Sequence, residues 1–204
     1  MDHLIIGLAG KAGSGKDTLF NILEQALDPV NIKRLSVGDV IRSTLNNLEI
    51  LLNNDINLFE LKGPQKEVWR PLMAAYGNAC RQTTEGRYFI DILNDKIERR
   101  NALASRPALT VVTDIRFDQF EKDEVYWIKE EHKGKLIYID RYTTDLDGVQ
   151  SAIPFVNDLE RSQDEALRKK ADIIINWPTV NDRETLLTYA QPLINRIKQD
   201  WLSV

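Results

Sequence analysis

The stretch Gly10-Lys11-Ala12-Gly13-Ser14-Gly15-Lys16-Asp17, directly after the apolar run Leu4-Ile5-Ile6-Gly7-Leu8-Ala9, constrains this chain more than any other feature. It reads as a strand running into a glycine-rich loop and then a helix. Gly10, Gly15 and Lys16 fit the G-x-x-x-x-G-K frame of a phosphate-binding loop. Glycines let the backbone curl so that successive N–H groups point inward at phosphate oxygens. A helix starting near Lys16 aims its positive dipole end at the same point. Lys16 adds a full charge that can follow a phosphate in transfer, and in the empty loop it is expected to face solvent. Asp17 stands where the frame usually has Ser or Thr, and Thr18 follows one step later. The usual hydroxyl touches Mg²⁺, so this pattern predicts a different arrangement for the metal. Gly10, Gly13 and Gly15 are spaced G-x-x-G-x-G, which does not match a dinucleotide-binding fingerprint.

Beyond the loop, the pattern is β-α alternation. Strands are predicted over His3–Ala9, Ile32–Ser36, Leu109–Thr113, Lys135–Asp140 and Asp172–Asn176. Helices are predicted over Lys16–Leu27, Asp39–Leu52, Lys66–Arg81, Phe89–Arg100, Phe117–Glu124, Ser162–Lys169 and Asp182–Gln199, the last kinked by Pro192. Short continuous apolar strands suit a parallel sheet covered on both faces. At 204 residues, the chain has room for one domain with inserted segments.

Composition narrows the partners. The net charge of −4 argues against a broad surface for long nucleic acid. No apolar run approaches the ~20 residues of a membrane span, and the Met-Asp-His start does not read as a signal peptide. The single cysteine, Cys80, excludes an internal disulfide and points to a reducing compartment. The expectation is a cytoplasmic protein that meets small molecules. His3 and His132 lack metal-ligand spacing.

Between the second and third strands lie about seventy residues, far more than a crossover helix needs. This predicts a helical insertion over roughly 37–107. A shorter excursion over 142–170 opens with the turn-rich Thr143-Thr144-Asp145-Leu146-Asp147-Gly148 and suggests a lid. In it, Ser162 and Glu165 fit a capping box opening a helix.

A second site candidate is Thr113-Asp114-Ile115-Arg116-Phe117-Asp118. Asp114 should sit at the carboxyl end of its strand, the edge where open α/β sheets bind ligands. There it can hold Mg²⁺ or its waters, or contact an acceptor. Arg116 can grip a phosphate with two prongs. In an extended stretch both side chains leave on one side. Asp118 can equally cap the next helix. Arg42, Arg70, Arg81 and Arg87 fall in the insertion, Arg141 ends the fourth strand, and Arg161 lies in the lid segment. Phosphoryl transfer needs several such cations around a heavily negative transition state. Tyr88 and Phe89, beside Arg87, are the aromatic residues best placed to stack on a base; Trp69 and Tyr76 are expected in the core.

The run Gly10 to Thr18, with Asp17 after the lysine, resembles the phosphate loop of bacteriophage-type deoxynucleoside monophosphate kinases. Val112-Thr113-Asp114-Ile115-Arg116 is similar to that family's Asp-x-Arg at the end of a central strand. Ala171-Asp172-Ile173-Ile174-Ile175-Asn176 resembles its final strand, and Arg70-Pro71-Leu72-Met73-Ala74-Ala75-Tyr76-Gly77 its helix leading to a glycine. The resemblance implies a three-layer α/β P-loop kinase fold with a five-stranded parallel sheet. The core would span about 1–36, 108–141 and 171–204, with an acceptor-binding insertion over 37–107 and a lid over 142–170. It implies ATP and Mg²⁺ as cofactors, a nucleoside monophosphate as acceptor, and a host-cytoplasm location if phage-encoded; it admits a homodimer.

On that resemblance, Gly10, Lys11, Ala12, Gly13, Ser14, Gly15, Lys16, Asp17 and Thr18 hold the nucleotide phosphates. Lys16, Asp114, Arg116 and Arg141 are the catalytic candidates. Arg42, Arg70, Arg81, Arg87, Phe89, Asp114 and Arg116 face the acceptor, and Asp17 and Asp114 the metal. Two alternatives stay open. Animal phosphomevalonate kinases share a similar loop and a Ser-Asp-x-Arg block. A P-loop GTPase or ATPase switch is suggested by Asp145-Leu146-Asp147-Gly148, a formal D-x-x-G, although no Asn-Lys-x-Asp block exists.

Overall fold

The computed structural model describes residues 3–48, 54–103, 108–180 and 182–202. Its centre is a sheet of five parallel strands: β1 (His3–Ala9), β2 (Asn31–Leu35), β3 (Ala108–Ile115), β4 (Lys135–Thr144) and β6 (Ile173–Pro178). They lie in the order β2-β3-β1-β4-β6. The expected five-stranded parallel sheet is present, with one addition: β5 (Gln150–Ala152) pairs antiparallel with the end of β4, from Tyr142 opposite Ala152 to Thr144 opposite Gln150. β4 therefore runs past Asp140, its predicted end, into the segment read from sequence as a lid.

The period-2 pattern of the strands sorts their side chains into two cores. Ile6, Leu8, Leu109, Val111, Ile137 and Ile139 face α1 (Lys16–Ala26) and the C-terminal helix, which packs Leu186, Ala190, Leu193 and Ile194 on the sheet. Ile5, Ala9, Val112, Ile115, Leu136 and Tyr138 face the opposite layer. That layer contains α2 (Val37–Leu45), α4 (Arg87–Leu103), a helical stretch α5 (Glu124–Tyr126, running into a π-turn Trp127–Glu131) and α6 (Asp158–Lys170). The insertion adds α3 (Gly63–Thr83), and a third small core forms inside it around Leu45, Leu58, Trp69 and Met73. The C-terminal helix, α7 (Arg183–Arg196), continues through Pro192 and ends as a π-turn, Ile197–Trp201. No helix among the described residues is long and apolar enough to cross a membrane.

Three sequence readings are corrected. The helix expected over Phe117–Glu124 is absent; helix begins only at Glu124. The reason lies in two buried acids. Asp123 accepts the N–H groups of Gln119 (2.9 Å) and Phe120 (3.3 Å), and Glu124 accepts those of Arg116 (2.6 Å) and Phe117 (3.0 Å). These bonds fold the stretch back on the two acids in a non-helical path. The helix expected from Asp39 starts instead at Val37 and ends at Leu45; its predicted end at Leu52 lies outside the described residues. The capping box expected at Ser162 and Glu165 is Asn157 and Glu160: Asn157 Oδ1 accepts the Glu160 N–H (2.8 Å), and Ser162 sits inside α6.

Candidate functional site

The loop from Gly10 to Gly15 leaves the carboxyl end of β1, the central strand, and enters α1. Two glycines are needed there for both angle and space. Gly10 has φ 131°, and a Cβ on it would lie 2.5 Å from the carbonyl oxygen of Ile139. Gly15, with φ 96°, lies against Trp177, whose Nε1 would be 2.7 Å from an added Cβ. The indole of Trp177 is buried beneath the loop as part of the core.

Lys16 does not face solvent as its position in the motif suggests. It is 8 % exposed, and its Nζ donates to the carbonyls of Gly10 (2.7 Å) and Lys11 (2.8 Å) and to Ser14 Oγ (3.2 Å). The loop carbonyls and the ammonium satisfy each other. Burial, with some help from the Arg116 charge, brings its pKa down from 10.5 to about 8, against the opposing pull of Asp114, Glu160 and Asp17. Arg141 stands on the outside of the loop: Nη1 donates to Gly13 O (2.6 Å) and Nε to Thr179 Oγ1 (3.0 Å).

Asp114, at the end of β3, acts on the backbone of the insertion. Its oxygens accept from Val37 N–H (2.8 Å), Gly38 N–H (2.7 Å) and Ser36 Oγ (2.9 Å). Ser36 in turn caps α2 at the Asp39 N–H (3.2 Å). A carboxylate at a helix N-terminus satisfies unpaired donors and complements the dipole. Asp17 is different: its side chain is 72 % exposed and holds Arg34 at 2.9 Å. Of the two acids expected at a metal, Asp17 has the freer carboxylate, and Asp114 is engaged by three donors. Among the described residues no group of three or more His, Cys, Asp or Glu is arranged to hold an ion by itself. Mg²⁺ carried in by polyphosphate oxygens, with Asp17 at the loop, fits this donor set.

Beside the loop opens a cavity of about 250 Å³. Gly10 forms part of its wall, together with Arg42, Lys66, Arg70 and Arg116. Apolar surface comes from Ile41, Met73, Phe89 and Leu159. Asp114 and Arg116 thus border one cavity. Arg42 Nη2 is paired with Asp39 Oδ1, while its Nε is buried without an acceptor. Burial alone would raise the Asp39 pKa, but the hydrogen bonds from Arg42 and Arg34 hold it below the usual value. Arg70 is turned to Glu67 by two hydrogen bonds of 2.7 Å.

The other expected acceptor residues divide. Arg81 reaches the cavity wall, but its guanidinium is buried between Asp123 (2.7 Å) and Glu124 (3.1 Å) and stacked 3.7 Å from the Phe117 ring. Burial pushes the Glu124 carboxyl up to about 8, against the pull of Arg81. Arg87 does not border the cavity; it pairs with Asp91 (3.0 Å) and Glu131 (2.8 Å). Phe89 borders the cavity yet is 1 % exposed and packs edge-on against Tyr76 and Tyr88, so it is a wall of the pocket held by its neighbours. Residues that the sequence reading passed over include Ser36, Lys66, Asn78, Glu160 and Trp177. Ser36 and Asp39 form an S-x-x-D helix-start signal, and Asn157 and Glu160 are a box of the same kind. Nothing in the sequence marks Trp177 as lying under Gly15.

The fold is a three-layer α/β arrangement, a parallel sheet with helices on both faces and a glycine-rich loop leaving its central strand. No family model matches the chain, and no curated protein matches it. Among solved structures, it is similar to dephospho-CoA kinase from Campylobacter jejuni (18% identity, 96% of this chain and 98% of that one, TM-score 0.49). It is also similar to shikimate kinase from Aquifex aeolicus (13% identity, 96% and 99%, TM-score 0.47) and a gluconokinase from Sinorhizobium meliloti (14% identity, 95% and 93%, TM-score 0.40). At this distance the likeness carries no argument about chemistry, which rests on the residues above.

Proposed function

We propose that the protein transfers the γ-phosphoryl group of ATP to a (deoxy)nucleoside monophosphate, giving the diphosphate. The observation that carries this reading is that Gly10 belongs both to the glycine-rich loop and to the wall of the cavity that Arg42, Lys66 and Arg116 border. Donor phosphates in the loop and an anionic acceptor in the cavity would meet there. Lys16 would exchange its bonds to the Gly10 and Lys11 carbonyls for the phosphate in flight. Arg116, Arg42 and Lys66 would neutralise the acceptor phosphate, and the orphan Nε–H of Arg42 is a donor ready for one of its oxygens. The apolar wall at Ile41, Met73 and Phe89 suits the flat remainder of a nucleotide. Mg²⁺ would supply charge neutralisation on the polyphosphate.

The acceptor oxygen is already anionic, so it attacks phosphorus without a general base. The P–O bond to ADP breaks as the new one forms, and the enzyme's part is positioning and electrostatic stabilisation. A coupled ADP-release assay over ribo- and deoxynucleoside monophosphates and phosphomevalonate tests the reading. Monophosphate-dependent turnover is expected. Turnover with phosphomevalonate alone would move the acceptor class, and acceptor-independent turnover would indicate a switch or ATPase. Lys16→Ala, confirmed folded by circular dichroism, should lose at least about 100-fold in turnover, the scale of one preorganised electrostatic contact.

A further inference from the structure

The glycine-rich loop holds an anion that belongs to the chain itself. The Ala12 N–H, inside the glycine-rich loop, donates to Glu160 Oε1 at 2.6 Å. Glu160 comes from the first turn of α6, in the segment that follows β5. A second hook joins the same two elements. Lys11 Nζ donates to the Ile153 carbonyl (2.9 Å) and stands 4.2 Å from the centre of the Phe155 ring. Lys11 is buried by these contacts. The other Glu160 oxygen accepts the Val156 N–H (2.9 Å), so one carboxylate holds its own helix start and the loop together.

From this geometry we infer that Glu160 is an internal anion that latches α6 onto the phosphate loop and must be displaced by the incoming nucleotide. The inference rests on the reading of the loop as a nucleotide site. A carboxylate oxygen and a phosphate oxygen make the same demand on a backbone N–H. The Glu160 charge also stands at the approach of a polyanion, where like charges cost affinity. Displacement has a second effect. Asn157, Leu159, Glu160, Asp164 and Leu167 of this segment border the same cavity as Arg42, Lys66 and Arg116. Moving the start of α6 therefore reshapes the acceptor site, so nucleotide and acceptor binding are coupled through one side chain.

Two measurements test the latch. The first needs no nucleotide. Glu160→Ala should increase amide hydrogen exchange in a peptide covering residues 10–17, relative to wild type, while the strands of the sheet stay protected. Unchanged exchange there would mean the contact does not hold the loop. The second is calorimetric titration with a non-hydrolysable MgATP analogue. Glu160→Gln removes the charge and keeps one acceptor oxygen, enough for Ala12 or Val156 but not both, while the helix cap from Asn157 Oδ1 to the backbone N–H of residue 160 is retained. It should bind the analogue about five- to tenfold more tightly than wild type. Asp158→Asn, which removes a fully exposed charge from the same helical turn, should match wild type. Equal or weaker binding by Glu160→Gln would overturn the latch and assign Glu160 to holding the nucleotide. Failure of both wild type and Glu160→Gln to bind would remove the nucleotide reading and this competition with it, whereas binding by Glu160→Gln alone would support both.

Discussion

Lys16 is a charged group kept indoors. Its ammonium has three oxygen partners and little contact with water, and the pKa of about 8 records the electrostatic cost of the charged form. The sign of the consequence follows from proton counting. Between about 8 and 10.5 the unfolded chain carries the proton and the folded one does not, so this group's contribution to stability rises with pH across that window and is lost as pH falls through 8. Wild type should therefore gain on Lys16→Met between these limits, by about 3 kcal/mol at most. Thermal melts of the pair from about pH 7.5 to about pH 10.5 read the difference directly; a constant gap would mean that Lys16 titrates normally. The motif gave away the identity of this residue because glycine and lysine spacing is a local property. Its burial was hidden, because spacing does not show that the carbonyls of Gly10 and Lys11 turn in on the ammonium.

Among the elements, α2 is the one whose placement decides the site. It begins where Ser36 and Asp114 gather the first N–H groups, and it carries Arg42 into the cavity. Asp114→Asn leaves a carbonyl acceptor but removes the charge at the helix start. It should cost about 1–2 kcal/mol, seen as a lower melting temperature, and raise the acceptor KM more than the nucleotide KM. A variant with unchanged stability and only an altered Mg²⁺ optimum would place Asp114 on the metal instead. The central strands and most helices were legible because their apolar periodicity is strong. The stretch 116–123 was misread because Phe117 and Phe120 mimic a helical face. What fixes it is a buried Arg81 with two acids, Asp123 and Glu124, and that triad joins α3 to a loop some forty residues away. β5 went unseen because three exposed residues have no hydrophobic pattern to show.

At the scale of the whole molecule, the insertion and α6 stand around the cavity beside the glycine-rich loop, and closure over that cavity is the expected response to ligands. With nucleotide analogue and monophosphate both bound, amides in residues 37–48, 54–103 and 142–170 should gain protection from exchange, while β1 and β3 stay as they were. Mass-spectrometric exchange checks this, and equal protection with and without ligands would rule out closure. The length between β2 and β3 called for more than one helix, and α2, α3 and α4 lie there, whereas the cavity was not legible, since its walls come from separate elements. The insertion also has a core of its own around Leu45, Leu58, Trp69 and Met73, shared with the main core through Ile41 and Tyr76. Most of the insertion's apolar side chains, Val37, Val40, Phe89, Ile90, Leu93 and Ile97, belong instead to the main core, so only the small satellite cluster is packed apart from the sheet. In descent, substitutions around that satellite cluster are the ones the sheet feels least, and a graft confined to it would be tolerated where exchange of all of 37–107 would open the main core.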